Sequence, residues 1–143
     1  METWLGVDFG TELVGIAVGT TLLGSGRPLT SIQAEPAGDM WRALDKLEAE
    51  WRPHGYAVGL ALLLDGSEQP ISVLTRAFAA ELASRTGKPV QLVDERASTL
   101  QAKRMFAEKR ALGQARRKQA QAVDAWAAAV ILERYFAGPS ESS

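Results

Sequence analysis

Three acidic positions stand where apolar sequence leads into chemistry. Asp124 lies in Gln-Ala-Gln-Ala-Val-Asp-Ala-Trp-Ala-Ala-Ala-Val-Ile-Leu, an Ala-rich run that reads as a buried helix. At 3.6 residues per turn its same-face neighbours are Ala120, Ala127, Ala128 and Ile131. A carboxylate on such a stripe costs several kcal/mol unless something offsets its desolvation. Asp8 closes the apolar run Trp4-Leu5-Gly6-Val7, and Asp94-Glu95 close Val90-Gln91-Leu92-Val93. Carboxylates crowded at the edge of a core repel one another and take up protons. Divalent cations remove that conflict, and two ions about 3.5–4 Å apart can grip a scissile phosphate between them.

The remaining composition narrows the chemistry. The chain has no cysteine and one histidine, so it cannot build a Cys/His zinc site. A Ser-His-Asp system would have to run through His54, which sits in the turn-like Arg52-Pro53-His54-Gly55 and reads as an ordinary loop residue. Any metal ligands are therefore oxygens, which suit Mg2+ or Mn2+. Simpler roles exist for each acid alone. Asp8 before Gly10 can form a turn, Glu95 can pair with Arg96 at the surface, and Asp124 can sit in a first helical turn if that helix starts near Ala122. Strand periodicity leaves Asp94 and Glu95 both open as the ligand, since moving the strand end by one residue exchanges their faces.

Charge is unevenly spread. The net charge is −1, yet half of the 16 basic residues fall between Arg96 and Lys118, opposed there only by Glu108. Arg96, Lys103, Arg104, Arg116, Arg117 and Lys118 are the candidates for nucleic-acid contact; the alternative is a solvated helical face.

The elements that must position these groups are legible as follows. Trp4–Phe9 and Leu13–Val18 read as strands joined by the tight turn Gly10-Thr11-Glu12, an antiparallel hairpin. Gly15, inside the second strand, either weakens it or admits another backbone. A weaker third strand spans Pro28–Gln33. Asp39 is a candidate N-cap for a helix whose apolar positions are Met40, Leu44, Leu47 and Trp51, and Pro53 ends it. Tyr56–Leu62 reads as a strand buried on both faces. A helix follows over Pro70–Thr86, then a strand over Pro89–Val93, a helix from Ser98 or Thr99 to Ala111, and a last helix over Ala115–Phe136. This order predicts an α/β sheet with helices on both faces and the site at the strand C-terminal ends. One domain is expected over residues 1–137, with 138–143 a loose tail. No stretch approaches the ~20 apolar residues of a membrane span, and no signal-peptide pattern opens the chain, so a cytoplasmic protein is the simplest expectation.

With these residues in place the chain resembles the YqgF/RuvX family of RNase H-like proteins from Leu5 to about Phe136. The carriers are Leu5-Gly6-Val7-Asp8-Phe9-Gly10-Thr11 with Gly15-Ile16-Ala17-Val18, then Val58-Gly59-Leu60 leading to Asp65-Gly66-Ser67, Asp94-Glu95-Arg96-Ala97-Ser98-Thr99, and Asp124-Ala125-Trp126-Ala127-Ala128. The resemblance implies a central mixed five-stranded sheet flanked by helices. It implies Asp8, Glu95 and Asp124 as metal ligands and catalytic residues, with Mg2+ or Mn2+ as cofactor. It also implies hydrolysis of phosphodiester bonds in structured nucleic acid: first RNA, in maturation of the 5′ end of pre-16S ribosomal RNA, with resolution of Holliday junctions as the alternative. Arg96 and Lys118 match basic family positions. The chain departs from the family where a basic pair commonly follows Asp-x-Gly-Thr, here Glu12-Leu13, where Ser-Asp commonly follows the second strand, here Gly19-Thr20, and at Ala61 and Leu62-Leu63-Leu64. Two other classes compete. An ATP phosphotransferase with the same Asp-x-Gly-Thr hairpin would need a second lobe, and a catalytically idle RNA-binding module would have no use for three intact acids. A homodimer is permitted by the sequence without being demanded.

Overall fold

The computed structural model describes residues 2–94 and 119–138. Three antiparallel strands come first: β1 (Thr3–Phe9), β2 (Leu13–Thr20) and β3 (Gly26–Gln33). They are followed by α1 (Ala37–Trp51), β4 (Gly55–Leu60), α2 (Pro70–Thr86), β5 (Val90–Asp94) and α3 (Gln119–Ala137). The sheet order is β3-β2-β1-β4-β5, with β4 parallel to both β1 and β5. This is the mixed five-stranded sheet expected from the sequence.

Strand alternation divides the core in two. Leu5, Val7, Val14, Ile16, Tyr56 and Val58 face α1 and α2, where they meet Met40, Leu44, Leu47, Phe78 and Leu82. Trp4, Ala17 and Ala57 face α3, where they meet Ala128, Ala129, Ile131 and Leu132. The split explains why β1, β2 and β4 are apolar at almost every position: each is covered on both sides. β3 lies at the sheet edge. A register irregularity at Ile16/Ala17 and the proline at position 28 both interrupt its ladder, which suits an edge strand.

Several expected boundaries move: β2 runs on to Thr20, and β3 starts two residues early at Gly26. α1 begins at Ala37 behind Pro36, not behind Asp39. The Pro36 carbonyl accepts the amides of both Asp39 and Met40, so the turn closes on backbone, and the Asp39 carboxylate pairs with Arg42 instead of capping. β4 stops at Leu60, two residues early, because Leu62 leaves the ladder to bridge Glu68. α2 starts with a reciprocal capping pair between Gln69 and Ser72, and Gly87 ends it at φ 69°. The helix expected over Ser98–Ala111 lies outside the described residues.

Away from the strand C-terminal ends, Glu48 of α1 accepts hydrogen bonds from the Tyr56 hydroxyl and from Lys88 Nζ. This trio ties α1 to the starts of β4 and β5. Burial and the neighbouring Glu48 carboxylate push the Tyr56 phenol far above its ordinary value.

Candidate active site

The site begins with glycines. On the α3 face of the sheet, β1 presents Trp4, Gly6 and Asp8, and Gly15 of β2 stands opposite Asp8 in the antiparallel register. A Cβ on Gly6 would lie 2.6 Å from the Ala128 carbonyl oxygen, and one on Gly15 would lie 2.0 Å from that of Asp124. A Cβ on Gly26 of β3 would lie 2.6 Å from the Ala129 carbonyl oxygen. The helix therefore rests on bare backbone at three strands. The sequence leaves open whether Gly15 weakens its strand or admits another chain; the second is what happens.

This seating fixes register. Two strand residues advance about 6.6 Å and four helical residues about 6 Å. Hence Ala128 over Gly6 and Asp124 over Gly15 are one repeat of the same match, read from the protein's interior toward the strand C-terminal ends. Asp8, directly across from Gly15, is brought to the same spot from the sheet side. Directly opposed residues of an antiparallel pair have α-carbons about 4.5–5.5 Å apart. Both acids are half-buried. Asp124 falls in the second turn of the described helix, whose first turn holds no acid, so it is not a first-turn helix acid. Burial pushes its carboxyl above the ordinary carboxylate range. Two half-buried carboxylate residues placed at one end of the sheet by this register suit a hard divalent cation, which would offset the cost that burial imposes.

Asp94 separates from this pair. It is opposite Leu60 in the β4–β5 ladder, while Val93 is opposite Gly59 and packs into the α3-side core. Alternation thus puts Asp94 on the α1/α2 face, away from the face of Asp8. Among the described residues no group of three or more acids or histidines forms a metal-binding cluster. Glu95, Arg96, Lys103, Arg104, Arg116, Arg117 and Lys118 lie outside the described residues. His54, as expected, is an exposed loop residue, with its Nε2 3.3 Å from a Glu2 carboxylate oxygen. Sequence reasoning missed the part played by Gly6 and Gly26; their signal was small residues at matching positions, with Ala125, Ala128 and Ala129 on the facing helix.

Comparison with known proteins agrees with this fold. Residues 2–138 match the family model RuvX, described as Holliday junction resolvase. A protein of Xanthomonas oryzae pv. oryzae named "Putative pre-16S rRNA nuclease" is 45% identical over 141 residues, 99% of this chain and 91% of the relative. A like-named protein of Xanthomonas campestris pv. campestris is also 45% identical over the same shares. Among solved structures, Thermus thermophilus RuvC bound to a Holliday junction substrate superposes with a TM-score of 0.57 at 20% identity, over 95% of this chain and 94% of RuvC. RuvC of the same organism in a second structure gives 0.58 at 21% identity, over 97% and 96%. These likenesses show an RNase H-like fold.

The family match and the relatives at 45% identity define a nuclease, a hydrolase of phosphodiester bonds on an RNase H-like sheet. More narrowly, the chain belongs to the RuvX (YqgF) family. Its substrate is nucleic acid.

Proposed function

We propose that this nuclease cuts structured RNA, in maturation of the 5′ end of pre-16S ribosomal RNA, and that Asp8, Glu95 and Asp124 hold the divalent ions it uses. The observation that carries the site is the seating of Asp124 on Gly15, opposite Asp8. The names of the relatives at 45% identity support the RNA substrate. The alternation that turns Asp94 from Asp8's face favours its sequence neighbour Glu95 as the third ligand.

Mg2+ or Mn2+, when bound, lowers the pKa of an attacking water and neutralises charge on the phosphate and the departing oxygen. The protein's own part is to fix carboxylate oxygens in one place through packed backbone, with no side-chain nucleophile. Arg96, Lys103, Arg104, Arg116, Arg117 and Lys118 are assigned to flanking phosphates, which they would hold without reading sequence.

The family description favours a second reading, resolution of four-way DNA junctions. The test is to incubate the protein with structured RNA, single-stranded RNA and a four-way DNA junction, each with magnesium, manganese or EDTA, and to repeat with Asp8→Ala. Metal-dependent cutting of RNA, lost in the variant, is the expected result. Cutting confined to the junction would replace the RNA reading. Binding without cutting in any metal would make the chain an idle binding module.

A further inference from the structure

Around the rim from Asp8 lies a cleft that the metal site does not use. Its 690 Å³ are lined by Phe9, Gly10, Thr11, Glu35, Pro36 and Leu74, among others. Phe9 follows Asp8 but alternates to the α1/α2 face, so the two side chains flank the same strand end. The two loops that wall the cleft are joined by a hydrogen bond from the Ala34 amide to the Glu12 carbonyl, 2.9 Å long.

The chemistry of the cleft selects its occupant. Phe9 ends a row of near-parallel rings: it stacks on Phe78 at 4.6 Å and 26°, and Phe78 stacks on Trp41 at 5.3 Å and 19°. The Arg85 guanidinium covers Trp41, 4.4 Å from the ring centroid. The row is therefore braced at its far end and meets the cleft at Phe9. Among the described residues no basic side chain lines the cleft, and the exposed Glu35 forms part of its wall. A phosphate would be repelled there. A flat, neutral group with amine donors would be accepted, stacking on Phe9 and donating to Glu35. A volume of this size is in the usual range for small-ligand clefts.

We propose that this cleft receives an unpaired nucleobase of the substrate strand, close to the cut, with Phe9 as stacking platform and Glu35 as acceptor for the base's amine. Guanine fits best, because its ring N–H and exocyclic amine present adjacent donors to one carboxylate. The proposal rests on the nuclease reading and adds that the substrate must be unpaired beside the cut. Aromatic stacking is a general means of holding splayed bases.

The test places 2-aminopurine at successive positions of a single-stranded RNA and follows its fluorescence on binding to the whole protein in EDTA, where cutting does not interfere. Quenching at a defined position is expected, lost in Phe9→Leu together with about tenfold in affinity. No quenching at any position, or quenching unchanged in Phe9→Leu, would overturn the proposal. Glu35 is exposed, so Glu35→Ala leaves folding intact; it should abolish an about fivefold preference for guanine over hypoxanthine at that position. A preference that survives the change would remove Glu35 from the site. Asp8→Asn should stop cleavage and keep the quenching. Quenching by a parent protein that never cuts would uphold the cleft and defeat the nuclease reading instead.

Discussion

Gly15 lies so close under Asp124 that a Cβ on the glycine would stand 2.0 Å from the Asp124 carbonyl oxygen. No side-chain rotation relieves such a contact, because a Cβ is fixed by its own backbone and its partner here is backbone. Gly15→Ala must lift α3 from the sheet, separating Asp124 from Asp8. A loss of about 3 kcal/mol in unfolding free energy is expected, with at least about 100-fold lower cleavage. Gly38→Ala is the control: nothing lies within 4 Å of its added Cβ, and within α1 it should gain about 0.5–1 kcal/mol. Urea melts of the two variants beside the parent check the contrast; equal melts would undo it.

Asp124→Asn keeps the shape of a half-buried side chain and removes a charge that burial disfavours. In EDTA at neutral pH the variant should melt about 3 °C above the parent, with cleavage abolished. Millimolar magnesium should raise the parent's melting temperature and leave the variant's nearly unchanged, since a ligand stabilises only the protein that binds it. Thermal scans with and without magnesium read both effects. A variant that melts lower in EDTA would mean the carboxylate is satisfied without a cation.

The sheet and the first acid were legible because alternation and turn chemistry are local signals: Trp4–Phe9, the Gly10-Thr11-Glu12 turn and Leu13–Val18 need no partner to be recognised. Asp124 stood out because Ala120, Ala127, Ala128 and Ile131 on its helical face are apolar. What the sequence could not supply was the choice between Asp94 and Glu95, since a strand's face is set by the ladder beside it and not by its own pattern. Nor could it place α1's start, where the Pro36 carbonyl satisfies amides that Asp39 was expected to serve. The cleft beside Phe9 also needed coordinates, because Phe9, Glu35 and Leu74 come from three separate elements.

Alkaline stability should depend in large part on the Tyr56 phenol. Tyr56 is held protonated by burial and by Glu48 to a pH well above that at which an unfolded tyrosine ionises, about 10. Above pH 10 the folded state therefore binds one more proton than the unfolded state, and stability falls as pH rises. Tyr56→Phe removes this contribution. The variant should lose about 1–2 kcal/mol near pH 7, where its hydrogen bond to the Glu48 carboxylate is missing, and the gap should close between pH 10 and 11. Denaturant melts across that range would show it; parallel curves for the two proteins would contradict it.

The two neighbouring acids at the end of β5 should separate cleanly by mutation. Asp94 pairs with Leu60 in the ladder and shares the α1/α2 face, while Val93 packs on the side of α3 and Asp8. A carboxylate on the wrong side of a sheet cannot reach an ion held by Asp8 and Asp124 without breaking the ladder that fixes it. Asp94→Asn should therefore leave the cleavage rate within about threefold of the parent. If Glu95 supplies the third ligand, Glu95→Gln should lower the rate by at least about 100-fold, as loss of a group acting directly on transition-state charge does. Single-turnover rates on one RNA in saturating magnesium compare the pair without interference from product release. The reverse ranking would make Asp94 the ligand, and its strand would have to end one residue earlier than the ladder to Leu60 allows.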